Sequence, residues 1–310
     1  MDSLSHSRKL SLQDGCPAPS VLVLGEVLWD IFEHSTALGG APLNFAAHAR
    51  RLGYTPLLLS AVGADSLGHA ARSEIAALGL DTSFLQTTRQ YPTGIARVEL
   101  GPADRTRFVI ERPAAYDAIA LRDEHIVQVT QRKPVFLYYG TLFVSRPQGR
   151  VILDRFLAAL PVTTRFYDLN LRPGQYSLPL VMDMLELADV VKLNEEELGI
   201  VHKFTRLPSN IEAFCRVGSQ RYGWKAVCVT LGARGCAMLC GDEYVEASGR
   251  RVQVADPVGA GDAFAAAFLH GLISDWPVPK IAEFANRVGA VVASRHGAIP
   301  DWTLTELVSL

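Results

Sequence analysis

The sequence predicts an α/β protein built on a mostly parallel sheet. Three observations carry that expectation. Near-continuous apolar runs of strand length recur, as at 21–30, 57–62 and 190–193; helix-length segments separate them; and polar or glycine-rich residues stand at the ends of the runs. One segment departs from this pattern. Within 82–112, Gly94–Leu100 and Arg105–Ile110 alternate polar and apolar residues around Gly101-Pro102-Ala103-Asp104, which predicts an antiparallel hairpin with one solvated face. Such an insert would serve as a lid over a site, or as an edge for self-association into a homodimer.

Composition bounds the rest. A chain of 310 residues, 49% apolar and 20% charged, can bury a substantial core as one large domain or two ordinary ones. A net charge of -2 gives no field for nucleic acid or a membrane surface, so a small polar partner is expected. The five cysteines form no C-x-x-C pair and fit reduced core residues of a cytoplasmic protein. Residues 1–20 are Ser-rich and polar, a loose tail without the apolar segment of a signal peptide, followed by one domain over 21–310. The apolar stretch Ala263–Ile273 is too short to span a bilayer.

Taken in order, Val21–Asp30 reads as one buried strand broken by Glu26 and Asp30. A carboxylate there costs stability unless it has a partner, so Asp30 is a candidate ligand contact or the cap of a turn. Gly39-Gly40 lets the backbone approach a ligand closely, and Pro42 suits the first turn of a helix that Gly53 ends. Asn44, in that turn, is placed to bond hydroxyl groups or to cap the helix; His48 is expected to pack or be solvated. A strand at 57–62 leads to a helix for which Ser66 is the expected cap, with Asp65 left between capping and facing the Gly39-Gly40 loop.

The second half resumes the alternation, with strands near 135–139, 165–169 and 190–193 and helices near 148–160, 178–187 and 195–200. Polar clusters close two of these strands, Asp168–Pro173 and Lys192–Glu197, where open α/β sheets gather ligands. Asn194 and Glu197, one turn apart, can hold water around a magnesium ion; Arg172 is placed for phosphate or for Asp168. Ala226–Gly235 runs into a glycine turn whose Thr230, Gly232 and Gly235 fit either phosphate contacts or a plain hairpin.

The stretch that organises the chain is Asp256–Phe264. Gly259-Ala260-Gly261 can fold into a concave turn whose amides point inward at the start of a helix, an anion site. Asp262 at its rim is either a helix cap or a base that takes a proton from a hydroxyl attacking a phosphate, which points to phosphoryl transfer. No G-x-G-x-x-G follows an early strand and no Gly-Lys-Ser or Gly-Lys-Thr occurs, which disfavours a dinucleotide oxidoreductase and excludes a P-loop kinase.

Several separated motifs then agree. Gly39–Asn44, Val62–Asp65, Asp168–Arg172, Asn194–Glu197, Thr230–Gly235 and Gly259–Asp262 occur in the order of the ribokinase/PfkB family of carbohydrate kinases, which the chain resembles from about residue 20 to 300. The resemblance implies a doubly wound, ribokinase-like sheet with a small β lid, ATP as cosubstrate, Mg2+, and Asp262 as catalytic base. It makes Gly259, Ala260, Gly261 and Asp262 the anion hole and sets Asn194 and Glu197 to organise magnesium and phosphate. Thr230, Gly232, Gly235 and Asn286 match the nucleotide site, and Asp30, Gly40 and Asn44 the sugar site. Gly25–Asp30 with Gly40–Asn44 is most similar to fructokinases. Pro257 stands where the family usually has Thr, beside a site at which members often hold K+ with help from the residue matching Asp256. Fructose is therefore the expected acceptor; 2-keto-3-deoxygluconate or another ketose, a nucleoside, and a catalytically silent sugar-binding regulator are the alternatives.

Overall fold

Ser20–Leu24 (β1) is buried along its whole length, and its alternate residues face two different cores, Val21 and Val23 one way and Leu22 and Leu24 the other. The structure, a computed structural model, describes residues 18–100 and 106–308. Of the expected tail over residues 1–20, residues 1–17 lie outside the described part, as do the turn at 101–105 and the Arg107 side chain, while Ser20 already belongs to β1.

The apolar run does not continue as one strand to Asp30. The chain turns at 25–27, and Leu28–Ile31 (β2) leaves for a second sheet, pairing antiparallel with Thr36–Gly39 (β3). Apolar continuity hid the break, which needs Gly25: a Cβ there would stand 2.1 Å from the Pro42 Cγ.

Ala41–Arg51 (α1) comes next, then Thr55–Gly63 (β4) beside β1, Ser66–Ala77 (α2) and Leu85–Thr88 (β5) beside β4, all three strands parallel. Asp65, rather than Ser66, caps α2, accepting from the Gly68 N–H at 2.7 Å. Gly94–Leu100 (β6) and Thr106–Ile110 (β7) form the expected hairpin. They join the departing strands in a small sheet ordered β3-β2-β6-β7, antiparallel in its hairpins and parallel where β2 meets β6. The lid thus draws half its strands from 28–39, and β5 belongs to the main sheet.

After Asp123–Arg132 (α3) the chain returns to the far side of β1 with Phe136–Gly140 (β8), then Thr141–Val144 (α4), Pro147–Ala159 (α5) and Thr164–Asp168 (β9). Leu178–Leu187 (α6), Val190–Asn194 (β10), Glu195–Thr205 (α7), Ile211–Tyr222 (α8) and Ala226–Thr230 (β11) extend the parallel run. Gly235–Cys240 (β12) and Glu243–Ser248 (β13) close the edge as an antiparallel pair. Ala260–Ile273 (α9), Val278–Ala293 (α10) and Leu304–Val308 (α11) finish the chain.

The nine-stranded order β13-β12-β11-β10-β9-β8-β1-β4-β5 reverses direction between β1 and β8. That reversal makes the sheet doubly wound, and α/β sheets bind ligands outside the strand C-termini at such a switch point. Residues of α1, α9 and α10 pack in one core and those of α5, α6 and α8 in the other. His48 is fully buried: its Nδ1 accepts from the Trp302 indole at 3.1 Å and its Nε2 donates to the Ala298 carbonyl at 3.0 Å. It therefore ties α1 to the segment after α10, and burial pushes its pKa down to about 4.

Candidate active site

Asp262 lies in the first turn of α9, but Gly259, in the left-handed region at φ 79°, holds the cap position and the Asp262 side chain caps nothing. The cap reading of Asp262 is therefore corrected. The same loop leaves the Gly259 and Gly261 N–H groups without an acceptor among the described residues, as an anion site requires. A Cβ on Gly259 would stand 2.4 Å from the Ala298 carbonyl oxygen, so only glycine permits this turn. The Asp262 Oδ2 accepts from the Asn44 Nδ2 at 2.8 Å, which joins the start of α1 to the start of α9. Asn44 is 3% exposed and its Oδ1 has no protein partner. Burial pushes the Asp262 carboxyl up to about 6, with Asp168 adding to the rise and Asn44, Lys192 and Arg172 working against it.

This pair opens on a cavity of about 380 Å³ between the strand ends and the lid, lined among others by Glu26, Asp30, Gly40, Asn170, Arg172 and Asn194. Gly39 stands behind the wall, where a Cβ would come within 2.7 Å of the Asp30 Oδ2; its glycine makes room for that carboxyl. Burial pushes Asp30 up to about 6 and Glu26 up to about 7, each opposed by the charge of Arg172. Arg172 is not bound to Asp168. That carboxylate, 1% exposed, takes the Lys192 ammonium at 2.9 and 3.0 Å and the Tyr138 hydroxyl at 3.1 Å. Burial works against the Lys192 charge, and pairing with Asp168 outweighs it, raising the lysine pKa.

Asn194 and Glu197 form a reciprocal capping box at the start of α7, each side chain accepting the other's backbone N–H at 2.8 Å. The second Glu197 oxygen accepts from the Leu171 N–H at 2.7 Å, fastening the 168–172 loop. Asn194 reaches the cavity; Glu197 lines neither cavity described here. Asp256 is similarly occupied, accepting from the Val258 N–H at 3.0 Å and the Gly297 N–H at 3.1 Å. Among the described residues no cluster of three or more His, Cys, Asp or Glu is arranged to cage a metal.

A second, larger cavity of about 590 Å³ lies across the loop and shares Pro257 and Gly261 with the first. Thr230, Gly232, Gly235, Ala260 and Asn286 line it. The hairpin reading of 226–240 and the cavity reading are both realised. Gly235, at φ 105°, turns β11 into β12 where a Cβ would meet the Ala247 carbonyl at 2.0 Å. The Asn286 Nδ2 donates to the Ala247 and Ser248 carbonyls at 3.2 and 3.4 Å, holding the end of β13 against α10.

Two arginines of the lid region, Arg97 and Arg112, are engaged elsewhere. Arg112 is buried against Asp117, the Leu142 carbonyl and Ser145, and Arg97 pairs with Glu111 on an exposed face. Three residues of the site were not singled out from sequence: Glu26, Asn170 and Lys192. The signals were present in part, a carboxylate interrupting an apolar run, an asparagine inside a strand-end cluster, and a lysine in a strand otherwise apolar.

Fold and site together define a doubly wound α/β protein with two cavities on opposite sides of one glycine loop. A family model described as pfkB family carbohydrate kinase matches residues 21–304, and the chain belongs to that family, the sugar kinases. A fructokinase of Escherichia coli is 28% identical over 298 residues, covering 90% of this chain and 94% of its own length. A fructokinase of Vibrio cholerae solved with fructose, ADP and calcium superposes with a TM-score of 0.79 at 24% identity, over 95% of this chain and 99% of that one. A 2-dehydro-3-deoxygluconokinase of Thermotoga maritima superposes with a TM-score of 0.82 at 20% identity, over 94% and 98%. At these identities the two structures speak for the fold.

Proposed function

We propose that the protein transfers the γ-phosphoryl group of ATP to a hydroxyl of fructose, with Asp262 as general base. The observation that carries this reading is the placement of Asp262 on the smaller cavity, one residue from the Gly261 that both cavities share. In the reaction the acceptor lies in the smaller cavity and the nucleotide in the larger. The attacking hydroxyl oxygen bonds to the γ-phosphorus, its proton passes to the Asp262 carboxylate, and the bond to the β-phosphate oxygen breaks to release ADP. The Gly259 and Gly261 N–H groups face the charge that develops on the transferred group. Magnesium, arriving with the nucleotide, would neutralise phosphate charge. Glu197, whose two oxygens already take backbone amides, fits it only through water, with Asn194 nearer.

The smaller cavity favours a neutral polyol, because Glu26, Asp30 and Asp262 outnumber Arg172 on its wall. Arg172 itself supports the second reading, a sugar acid such as 2-keto-3-deoxygluconate, whose carboxylate a guanidinium would hold. The test is ADP release from ATP and magnesium against fructose, ribose, 2-keto-3-deoxygluconate and adenosine, with and without potassium. Turnover confined to fructose is expected. Turnover confined to the sugar acid moves the assignment to the second reading, and sugar binding without any turnover ends the kinase reading.

A further inference from the structure

Among the described residues, buried carboxyl groups fall into two sets. Asp168, Asp189 and Glu197 are each satisfied by protein donors: Asp168 by Lys192 and Tyr138, Asp189 by Arg165 and Lys225, and Glu197 by two backbone amides. Asp30, 7% exposed, and Glu26, 5% exposed, take no hydrogen bond from any other described residue, and the Glu26 carboxyl is met only by its own backbone N–H. A buried carboxyl met by no donor beyond its own backbone N–H is costly, and Glu26, unlike Asp30, also borders a second, water-sized void. Gly40 is shaped around Glu26, since a Cβ there would stand 2.5 Å from the Glu26 carbonyl oxygen and 3.4 Å from its Cγ.

Two spaces meet the Glu26 side chain. One is the acceptor cavity. The other is a void of about 10 Å³ shared with Tyr138, Asn170 and Arg172, about the size that holds one water. The charged and titratable groups around it come from several elements. Arg112 is committed to Asp117 and Ser145, and Tyr138 donates to Asp168; Tyr116 carries a buried hydroxyl without a partner, Asp262 belongs to the reaction, and Arg172 is the uncommitted cation.

Resting on the sugar-kinase reading, we propose that Glu26 is a specificity-determining residue whose carboxyl hydrogen-bonds a non-reacting hydroxyl of the acceptor sugar, beside the end held by Arg172. The carboxyl titrates near neutrality, so it can donate as well as accept, which suits a hydroxyl group. A sugar lacking that hydroxyl leaves Glu26 buried and unpaired, and is rejected for that reason.

The experiment uses Glu26→Ala and Glu26→Gln with the accepted sugar and a set of its monodeoxy analogues, reading KM and kcat for sugar and ATP. Glu26→Ala is expected to raise the sugar KM about 10- to 100-fold with the ATP KM unchanged, and Glu26→Gln, which keeps a donor and an acceptor, to lose much less. On one deoxy analogue the Glu26→Ala penalty should vanish while persisting on the others, a pattern that a general loosening of the fold would not produce. Equal penalties on every analogue, a parallel rise in the ATP KM, or an unchanged sugar KM would each overturn the assignment. Should the wild type bind sugar without turnover, the same comparison by calorimetry decides for or against Glu26 while the kinase reading alone falls. A wild type that neither binds nor turns over any sugar overturns both.

Discussion

The two cavities that meet at residues 257–261 are built from opposite materials. The smaller is walled by three carboxyls, three side-chain amides and one guanidinium, held between strand ends and lid; the larger is lined mostly by glycine, alanine and valine of the β11–β12 turn, the segment after β13, and the helices α9 and α10, with Arg250 and Arg251 at its edge. A wall of fixed polar groups reads individual hydroxyls, because each mismatched hydroxyl strands a buried partner. An apolar wall accepts a flat, generic body and leaves discrimination to its rim. Under the proposed reaction this difference is a division of labour across one loop: selectivity on one side, a common phosphoryl donor on the other.

Substitutions can break that comparison. The largest expected effect is Asp262→Asn, which should lower kcat by about 100- to 10,000-fold while sugar affinity by calorimetry stays within a few-fold. Near-normal turnover by the folded variant would remove Asp262 from the base position. Next, Lys192→Ala should cost about 3–5 kcal/mol in denaturant unfolding, because it leaves Asp168 buried without its counter-ion. If stability is unchanged, the floor of the site is not held by that pair.

A pH experiment sharpens the contrast. Asp262 must be ionised to act, so kcat/KM should fall as pH drops through about 6. Stability should respond the other way at Glu26. Its pKa is raised on folding from 4.5 to about 7, so the native chain holds a proton that the unfolded chain has released. That contribution is full below pH 4.5 and is lost as pH rises through about 7; Glu26→Gln should flatten the fall in melting temperature across this window. On the other side of the loop, Asn286→Ala frees the end of β13 and should raise the ATP KM by about 3- to 10-fold, consistent with the loss of about one net hydrogen bond, with the sugar KM unmoved. Arg97→Ala, at an exposed pair with Glu111, should change stability by less than about 0.5 kcal/mol and leave both KM values alone.

What could be read from sequence was whatever is local in the chain. The Gly259–Asp262 loop, the Gly39-Gly40 pair, the parallel runs and the β6–β7 hairpin each announce themselves within a dozen residues. What escaped depends on partners distant in sequence. Whether Val21–Asp30 is one strand or two is decided by Pro42 packing on Gly25, and half the lid follows from that break. Glu197 shows a helix start in sequence, but its bond to the Leu171 N–H exists only once β9 and β10 lie side by side. Lys192 reads as an intrusion in an apolar strand until Asp168 is placed beside it.

The bond between Asn44 and Asp262 spans 218 residues, and His48 reaches still further, to Ala298 and Trp302. The face of α1 that rests on α9 therefore has no cover while a ribosome is still making the middle of the protein. Contacts of this range close late and slowly. The site then closes only after the strands it stands on: a nascent chain with its parallel strands already paired would carry an unfastened glycine loop, in need of protection, until residues 297–302 emerge and lock it in place.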